Sequence, residues 1–590
     1  MKYLSFLAMT LLWIAILYGG FLIYGAAGHD DPHINFWFSH TLLEQGQLVN
    51  YNGDRVEQTT SLLIVLLTAL FSKILQLDLV TAGYLVDIFS SFACCVVVTK
   101  LAQRYCRGLM LWPALLALSS TSLLLWSFGG MGAVLAAVVL LVAAVVWASF
   151  ANAAQLYTHH YVSLVAITIL LVIVRPEMPV IIVVASASLC VWFLRVREQC
   201  LRFLQIFSFS LVVSAVLFCW QKLYFDSWLP LPVLAKQTGA FATKLQSGFI
   251  YTLIYSVVNP VVALSLLLAP ILLCFSWSRI ICTEEIVRAQ YTQMLVLLAL
   301  IGVYAGFVLT AGGDWMHAGR FVVPMIPMAA MLLVMMVSRV VRRAWLAHGL
   351  LLCVFFASAS FTKDIVAKQA HGIPAWVQYR LDDSHKNYGL FERYNQEHLR
   401  DLAVIDRLKE ILPVLNQKLN RPVNLLSGQA GMVFFRLGEQ LYGKVHFYDL
   451  RGLVEGAFTR CSYLERVARN PMGIGWSYAE FLSMLLEIKQ HCGVDPPDVI
   501  YDINNPKESM EPIFARYGYV LVHREEGFIL RNTIKTVPVN MLFAPNVIFV
   551  RKELLPLLDS PELRVIKYRD MPLVSRAEGR WFTRLLQGEE

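Results

Sequence analysis

The chain has 590 residues, 57% of them hydrophobic and 15% charged, and its mean hydropathy is +0.58. Those proportions exclude a soluble globular protein and a disordered one, and place the chain among integral membrane proteins. The net charge of +8 is no nucleic-acid footprint, because Lys and Arg are scattered between apolar runs rather than clustered with aromatics.

Up to about Phe361 one long apolar run follows another, and beyond it charge is frequent and no run could cross a bilayer. This predicts a polytopic α-helical domain over 1–361 and a C-terminal α/β soluble domain over 362–590. The candidate spans are 4–27, 79–101, 109–127, 131–150, 160–175, 177–194, 203–222, 252–276, 293–311, 321–338 and 346–361, about eleven by hydropathy. The first has only Lys2 ahead of it and no small-x-small cleavage site, so it reads as an anchor rather than a signal peptide.

Segment 60–77 is also apolar, and charge decides how to count it. If it does not cross, the clusters Lys100/Arg104/Arg107, Arg195/Arg197/Arg202, Arg279/Arg288 and Arg339/Arg342/Arg343 all fall inside with Lys2. The segment is therefore expected to be interfacial or re-entrant, entered through Gln58-Thr59-Thr60-Ser61. The N-terminus then lies inside and the C-terminal domain outside.

The Gly-, Pro- and charge-rich connections now share the outer face. The first holds Gly28-His29-Asp30-Asp31-Pro32-His33, with two adjacent carboxylates just past the first span. Carboxylates at that depth cost desolvation energy unless something uses them. One alternative is that Asp30 and Asp31 only cap the helix expected over 34–45. The same connection continues through Tyr51-Asn52-Gly53-Asp54-Arg55-Val56-Glu57, and a later turn reads Gly129-Gly130-Met131-Gly132.

Arg175-Pro176-Glu177 is a turn between two short apolar segments, where the pair either neutralises itself or offers a guanidinium to a phosphate. In 226–236 two prolines at alternate positions predict extended backbone, with Lys236 as a point charge near the surface. Gly312 to Arg320 is the densest motif. Its paired glycines allow a tight turn, and Asp314, Trp315, His317 and Arg320 add a carboxylate, a sugar-stacking surface, a donor/acceptor and a phosphate fork. Pro324 and Pro327 then mark a kinked span.

His29, His33, Asp30, Asp31, Asp314 and His317 carry donor atoms for a divalent cation, but no spacing among them is diagnostic and no cofactor is required. Most of the eleven cysteines sit in apolar runs, and Cys461 and Cys492 are the one candidate disulfide pair of the outer domain.

In their order these motifs resemble bacterial GT-C glycosyltransferases, in particular the mycobacterial terminal arabinofuranosyltransferases and related pilin arabinosyltransferases. The first outer loop, the Arg-Pro-Glu turn, the Leu-Pro loop ending at Lys236 and Gly312–Arg320 carry the likeness. Gln429-Ala430-Gly431 and Tyr448-Asp449-Leu450-Arg451-Gly452-Leu453 carry it more thinly beyond Phe361. Family members commonly have Ser-Gly-Met/Leu-Glu where this chain ends its turn in Gly132.

The resemblance implies an inverting transferase of the bacterial inner membrane that takes a sugar, arabinofuranose-like, from a polyprenyl-phosphate donor. An envelope glycan or protein is then the acceptor. Asp30 or Asp31 is the expected base; Arg175, Lys236, Asp314, Trp315, His317 and Arg320 are the expected donor-binding residues. A flippase of lipid-linked sugars would instead carry charges at mid-bilayer and internal repeats, which this sequence lacks. A structural assembly factor would leave the Asp pair and Gly312–Arg320 without a use.

Overall fold

The computed structural model describes residues 2–24, 30–236, 241–268, 285–314, 316, 319–364, 390–428, 430–449, 454, 495–503, 511–526, 529–530, 541–542 and 546–567. Among these, five helices are long and apolar enough to cross a bilayer: Leu79–Tyr105, Ala133–Asn152, Arg197–Phe225, Glu285–Ala311 and Arg320–Val340. With the shorter apolar helices around them, they make this a multi-pass helical membrane protein.

In chain order the N-terminal part runs α1 (Lys2–Tyr24), α2 (Pro32–Gln45), α3 (Leu62–Leu75), α4 (Leu79–Tyr105), α5 (Trp112–Leu118), α6 (Thr121–Trp126) and α7 (Ala133–Asn152). It continues with α8 (Thr158–Val174), α9 (Met178–Trp192), α10 (Arg197–Phe225), α11 (Leu231–Lys236), α12 (Phe241–Val258) and α13 (Pro260–Leu268). The last three are α14 (Glu285–Ala311), α15 (Ile326–Val340) and α16 (Ala344–Asp364). Helix α7 is apolar all round and largely buried, whereas α10, also apolar over its span, is little buried, the pattern of a helix at the periphery of a membrane domain.

Two expected spans are broken. The run 109–127 divides at Ser119–Ser120, and the Ser120 side chain caps α6 by accepting from the Leu123 amide at 3.2 Å. The run 252–276 bends by 109° between α12 and α13, where Pro260 cannot donate to the helix ladder; 269–276 lie outside the described residues. The breaks satisfy each other. Ser120 Oγ donates to Asn259 Oδ1 at 2.6 Å, and Asn259 Nδ2 donates to Ser122 Oγ at 3.1 Å and to the Tyr255 carbonyl at 2.8 Å. Irregular backbone within a membrane domain survives only where protein groups replace its lost partners, as these do.

Helix α3 has clear ends. Ser61 Oγ accepts from the Ile64 amide, and Gln76 closes it in the left-handed conformation at φ 54°. Its 14 residues rise about 21 Å, against roughly 30 Å of hydrocarbon. The kink expected near Pro324 is present as a change of helix type: Arg320–Met325 is a 3₁₀ turn, and α15 starts afresh with Pro327 in its first turn.

The C-terminal unit is α/β. Helix α17 (Leu390–Leu419) presents Val404, Ile405, Leu408, Ile411, Leu412 and Leu415 on one buried face. Strands β1 (Val423–Ser427), β2 (Val445–Asp449) and β3 (Val499–Ile503) are parallel, with α18 (Met432–Leu441) crossing from β1 to β2. After α19 (Glu511–Arg516) come β4 (Tyr519–Glu526), β5 (Ile529–Leu530), β6 (Met541–Leu542), β7 (Asn546–Arg551) and β8 (Arg564–Lys567). The main sheet runs β2-β1-β3-β7-β4-β8, with β7 antiparallel to both neighbours; β5 and β6 pair separately.

One hydrophobic core joins this unit to the connection between α1 and α3, the expected first outer loop. Phe36, Trp37 and Phe38 of α2, with Leu48 and Tyr51, pack in the same cluster as α17, Leu425 and Phe434. Leu62, at the start of α3, and Leu79 and Val80, at the start of α4, lie against that cluster too.

Candidate active site

The two adjacent carboxylates have different situations. Asp31 stands at the N-cap position of α2, but its backbone is helical (φ −55°, ψ −34°) and its side chain makes no capping bond. The Asp31 side chain therefore does not cap α2. Asp30 is a cap, but of a different helix: its carboxylate accepts from the Gly431 amide at 3.1 Å and the Met432 amide at 2.6 Å. Those are the first N–H groups of α18, whose partial positive charge suits an anion.

The contact leaves no room for a side chain at Gly431, where a Cβ would fall 2.0 Å from the Asp30 carbonyl oxygen. Asp30 also fixes its neighbour, since its carbonyl accepts from the His33 amide and faces His33 Nδ1, both at 3.1 Å. His29 lies outside the described residues. Nothing local in the sequence announces a partner for Asp30 four hundred residues away.

A second group of functional candidates gathers around Phe321. The Arg175 guanidinium pairs with Glu177 across the Pro176 turn, and both side chains are under a tenth exposed. Arg320 pairs with Asp314 at 2.7 Å, with side chains 5% and 2% exposed. Both guanidinium carbons lie over the Phe321 ring, at 5.3 and 5.4 Å, and Arg320 also faces Trp126 at 5.8 Å. Tyr304 Oη donates to Glu177 at 3.4 Å, while Tyr251 Oη accepts from the Phe321 amide at 3.2 Å. Each arginine thus neutralises a carboxylate of its own loop, Arg175 through a hydrogen bond from Nε and Arg320 through close approach of charge.

The paired glycines of that loop are required by geometry. Gly312 and Gly313 have φ of 86° and 79°, and a Cβ on Gly313 would fall 2.6 Å from the Tyr251 ring. Trp315 and His317 lie outside the described residues. The backbone ending at Lys236 is not extended as its two prolines suggested: Leu231–Lys236 is a short helix. Pro230 and Pro232 precede or open its first turn, where a missing N–H costs nothing. The Lys236 side chain is itself outside the described set.

Two carboxylates had no role in the sequence reading, although Glu57 closes the motif that begins at Tyr51. Glu57 is buried, and both its oxygens accept from Gln221 Nε2, at 3.2 and 3.1 Å. Burial pushes its carboxyl up to about 8, against the smaller opposing effect of the Gln221 bond. It lines a cleft with Thr60, Arg175, Pro176, Trp220 and Pro230, so the first outer loop and the Arg-Pro-Glu turn meet there. Asp87 lies fully buried in α4 and accepts from the Gly132 amide at 3.0 Å. It is the one acid of that helix, and an ionisable residue within an apolar span was the signal to follow. Asp87 brings a carboxylate to the turn that lacks one in its own sequence.

No group of three or more His, Cys, Asp or Glu side chains that could hold a metal ion occurs among the described residues. The cysteines Cys461 and Cys492 lie outside them.

No protein-family model matches the chain, and no curated protein matches it. Among solved structures, it is similar to ArnT from Cupriavidus metallidurans bound to undecaprenyl phosphate, at 11% identity and a TM-score of 0.49. The apo state of the same protein matches at 12% identity and a TM-score of 0.46. Each match covers 94% of this chain and 98% of the other. Likeness at that level carries nothing about the reaction, which rests on the residues above.

Proposed function

We propose that the chain is an inverting membrane glycosyltransferase that moves a sugar, arabinofuranose-like, from a polyprenyl-phosphate donor to an envelope glycan or protein. The order of its outer-loop motifs supports this reading. So does the Asp pair, and that observation carries it: Asp30 is committed to α18, while the α2 N-terminus makes no use of the adjacent Asp31 carboxylate. A carboxylate held at the mouth of a membrane domain without a capping role suits a general base.

In the proposed reaction Asp31 takes the proton of the acceptor hydroxyl as that oxygen attacks the anomeric carbon. The bond from the anomeric carbon to the phosphate oxygen breaks, and the lipid leaves as its phosphate. Arg175, Arg320 and Lys236 supply positive charge for that leaving group, while Asp314, Trp315 and His317 orient the sugar. The bacterial inner membrane is the proposed location, with the N-terminus cytoplasmic and the C-terminal domain outside. No cofactor is assigned.

The test is transfer of radiolabelled sugar from defined polyprenyl-phosphate donors by the purified protein. Transfer by wild type and its loss in Asp31→Asn would support the reading. Movement of intact donor across proteoliposome membranes without transfer would replace it with a flippase.

A further inference from the structure

The C-terminal sheet has the form that takes an anionic ligand. Strands β2 and β3 lie on opposite sides of β1, so the strand order reverses there, and α18 begins just past the carboxyl end of β1. Open α/β sheets bind ligands in that crevice, with an anion on the helix N-terminus. In this protein the place is taken by the chain's own first outer loop.

The occupation is specific at several points. The Asp30 carboxylate receives the Gly431 and Met432 amides. Tyr51 Oη donates to the Gly431 carbonyl at 3.3 Å, and its ring packs edge-on against Phe434 of α18. Asn52 pairs with the edge of β2 that has no strand beside it among the described residues, as a neighbouring strand would: Oδ1 accepts from the Phe447 amide at 2.7 Å, and Nδ2 donates to the Phe447 carbonyl at 2.9 Å. Glycines mark both sides of the seam. A Cβ on Gly438 would fall 2.7 Å from the Trp37 ring, and one on Gly53 would fall 2.7 Å from Tyr442 Oη.

We propose that the C-terminal α/β unit takes the first outer loop as its ligand and thereby fixes the position of Asp31. Gly431, Met432 and Asn52 are then positioning residues. Gly431 and Met432 act through Asp30, the residue next to the proposed base, while Asn52 acts by holding the same loop against β2; none of the three is assigned a contact with donor or acceptor. The consequence for turnover rests on the glycosyltransferase reading, whereas the docking itself does not.

The experiment uses the full chain in lipid nanodiscs and measures amide exchange alongside sugar transfer, for wild type, Gly431→Ala and Asn52→Ala. Each variant should speed exchange over 31–36 and over 432–436 together, by roughly tenfold. Turnover should drop by about tenfold or more while KM for the polyprenyl-phosphate sugar stays within about twofold, because misplacing a base acts on the chemical step. Asn52→Ala removes a half-buried side chain that pairs with the β2 edge and introduces no clash, so it keeps the test informative if Gly431→Ala fails to fold. Faster exchange confined to 432–449, with 31–36 unchanged, overturns the proposal. So does coupled loosening of both segments with full turnover. Coupled loosening in a protein whose wild type transfers no sugar would uphold the docking and retire the glycosyltransferase reading instead.

Discussion

The Leu231 amide donates to the Glu57 carbonyl at 2.9 Å, which seats the loop after α10 directly on the first outer loop. With the other spans crossing as the sequence predicts, a crossing at α3 would put those two loops on opposite sides of the membrane. The packing of Leu62, Leu79 and Val80 against one shared core gives the same reason for an α3 that starts and is followed on one side.

The first prediction is therefore that α3 does not cross. Cysteines introduced at Gln47 and Arg104, both exposed, should be labelled by an impermeant maleimide from opposite sides of the membrane. Labelling from one side would mean that α3 spans and that the basic connections lie outside.

The Asp pair should split by mutation. Asp31→Asn should cut transfer about 10²- to 10⁴-fold with little change in thermal stability, as expected for a general base. Asp30→Asn removes the charge from two amide bonds and should cost about 1–3 kcal/mol of stability, with a smaller loss of turnover. Turnover and melting measured on both variants check this, and full transfer by Asp31→Asn would remove the assignment.

Glu57 gives a pH prediction. Its carboxyl sits at about 8 in the fold against an ordinary value of 4.5. Between those limits the unfolded chain releases a proton that the folded chain keeps. The contribution is thus fully present below about pH 4.5 and lost as pH rises through about pH 8. Within that window the slope is about 1.4 kcal/mol per pH unit. Glu57→Gln removes the titration, so its melting temperature should gain on wild type steadily from about pH 5 to about pH 8. A constant difference across that range would show Glu57 ionised throughout.

The Asp314–Arg320 pair is buried on both sides, so breaking it from one side leaves a bare charge. Arg320→Met alone should cost about 3–5 kcal/mol, and Asp314→Asn added to it should recover much of that loss. Transfer should stay low in both, because the double variant restores packing but no charge for the leaving phosphate. Recovery of transfer together with stability would make the pair purely structural.

What the sequence determined by itself was much of what has a local cause, the Pro230–Pro232 stretch excepted. Apolar runs of bilayer length, the Arg175-Pro176-Glu177 turn, the tight glycines before Asp314 and a change to an α/β unit all follow from residues within a few positions of each other. Even so, a proline at 260 and serines at 119 and 120 could not be read as breaks, since they are tolerated within a membrane domain only when a distant segment supplies the missing bonds. The same reason hid the use of Asp30, the acid that Asp87 brings to Gly132, and the raised carboxyl of Glu57. A carboxylate's role depends on which donors surround it and how much water is excluded, and those partners came from α18, from the turn before α7 and from α10. Only the tertiary fold brings them within hydrogen-bonding distance.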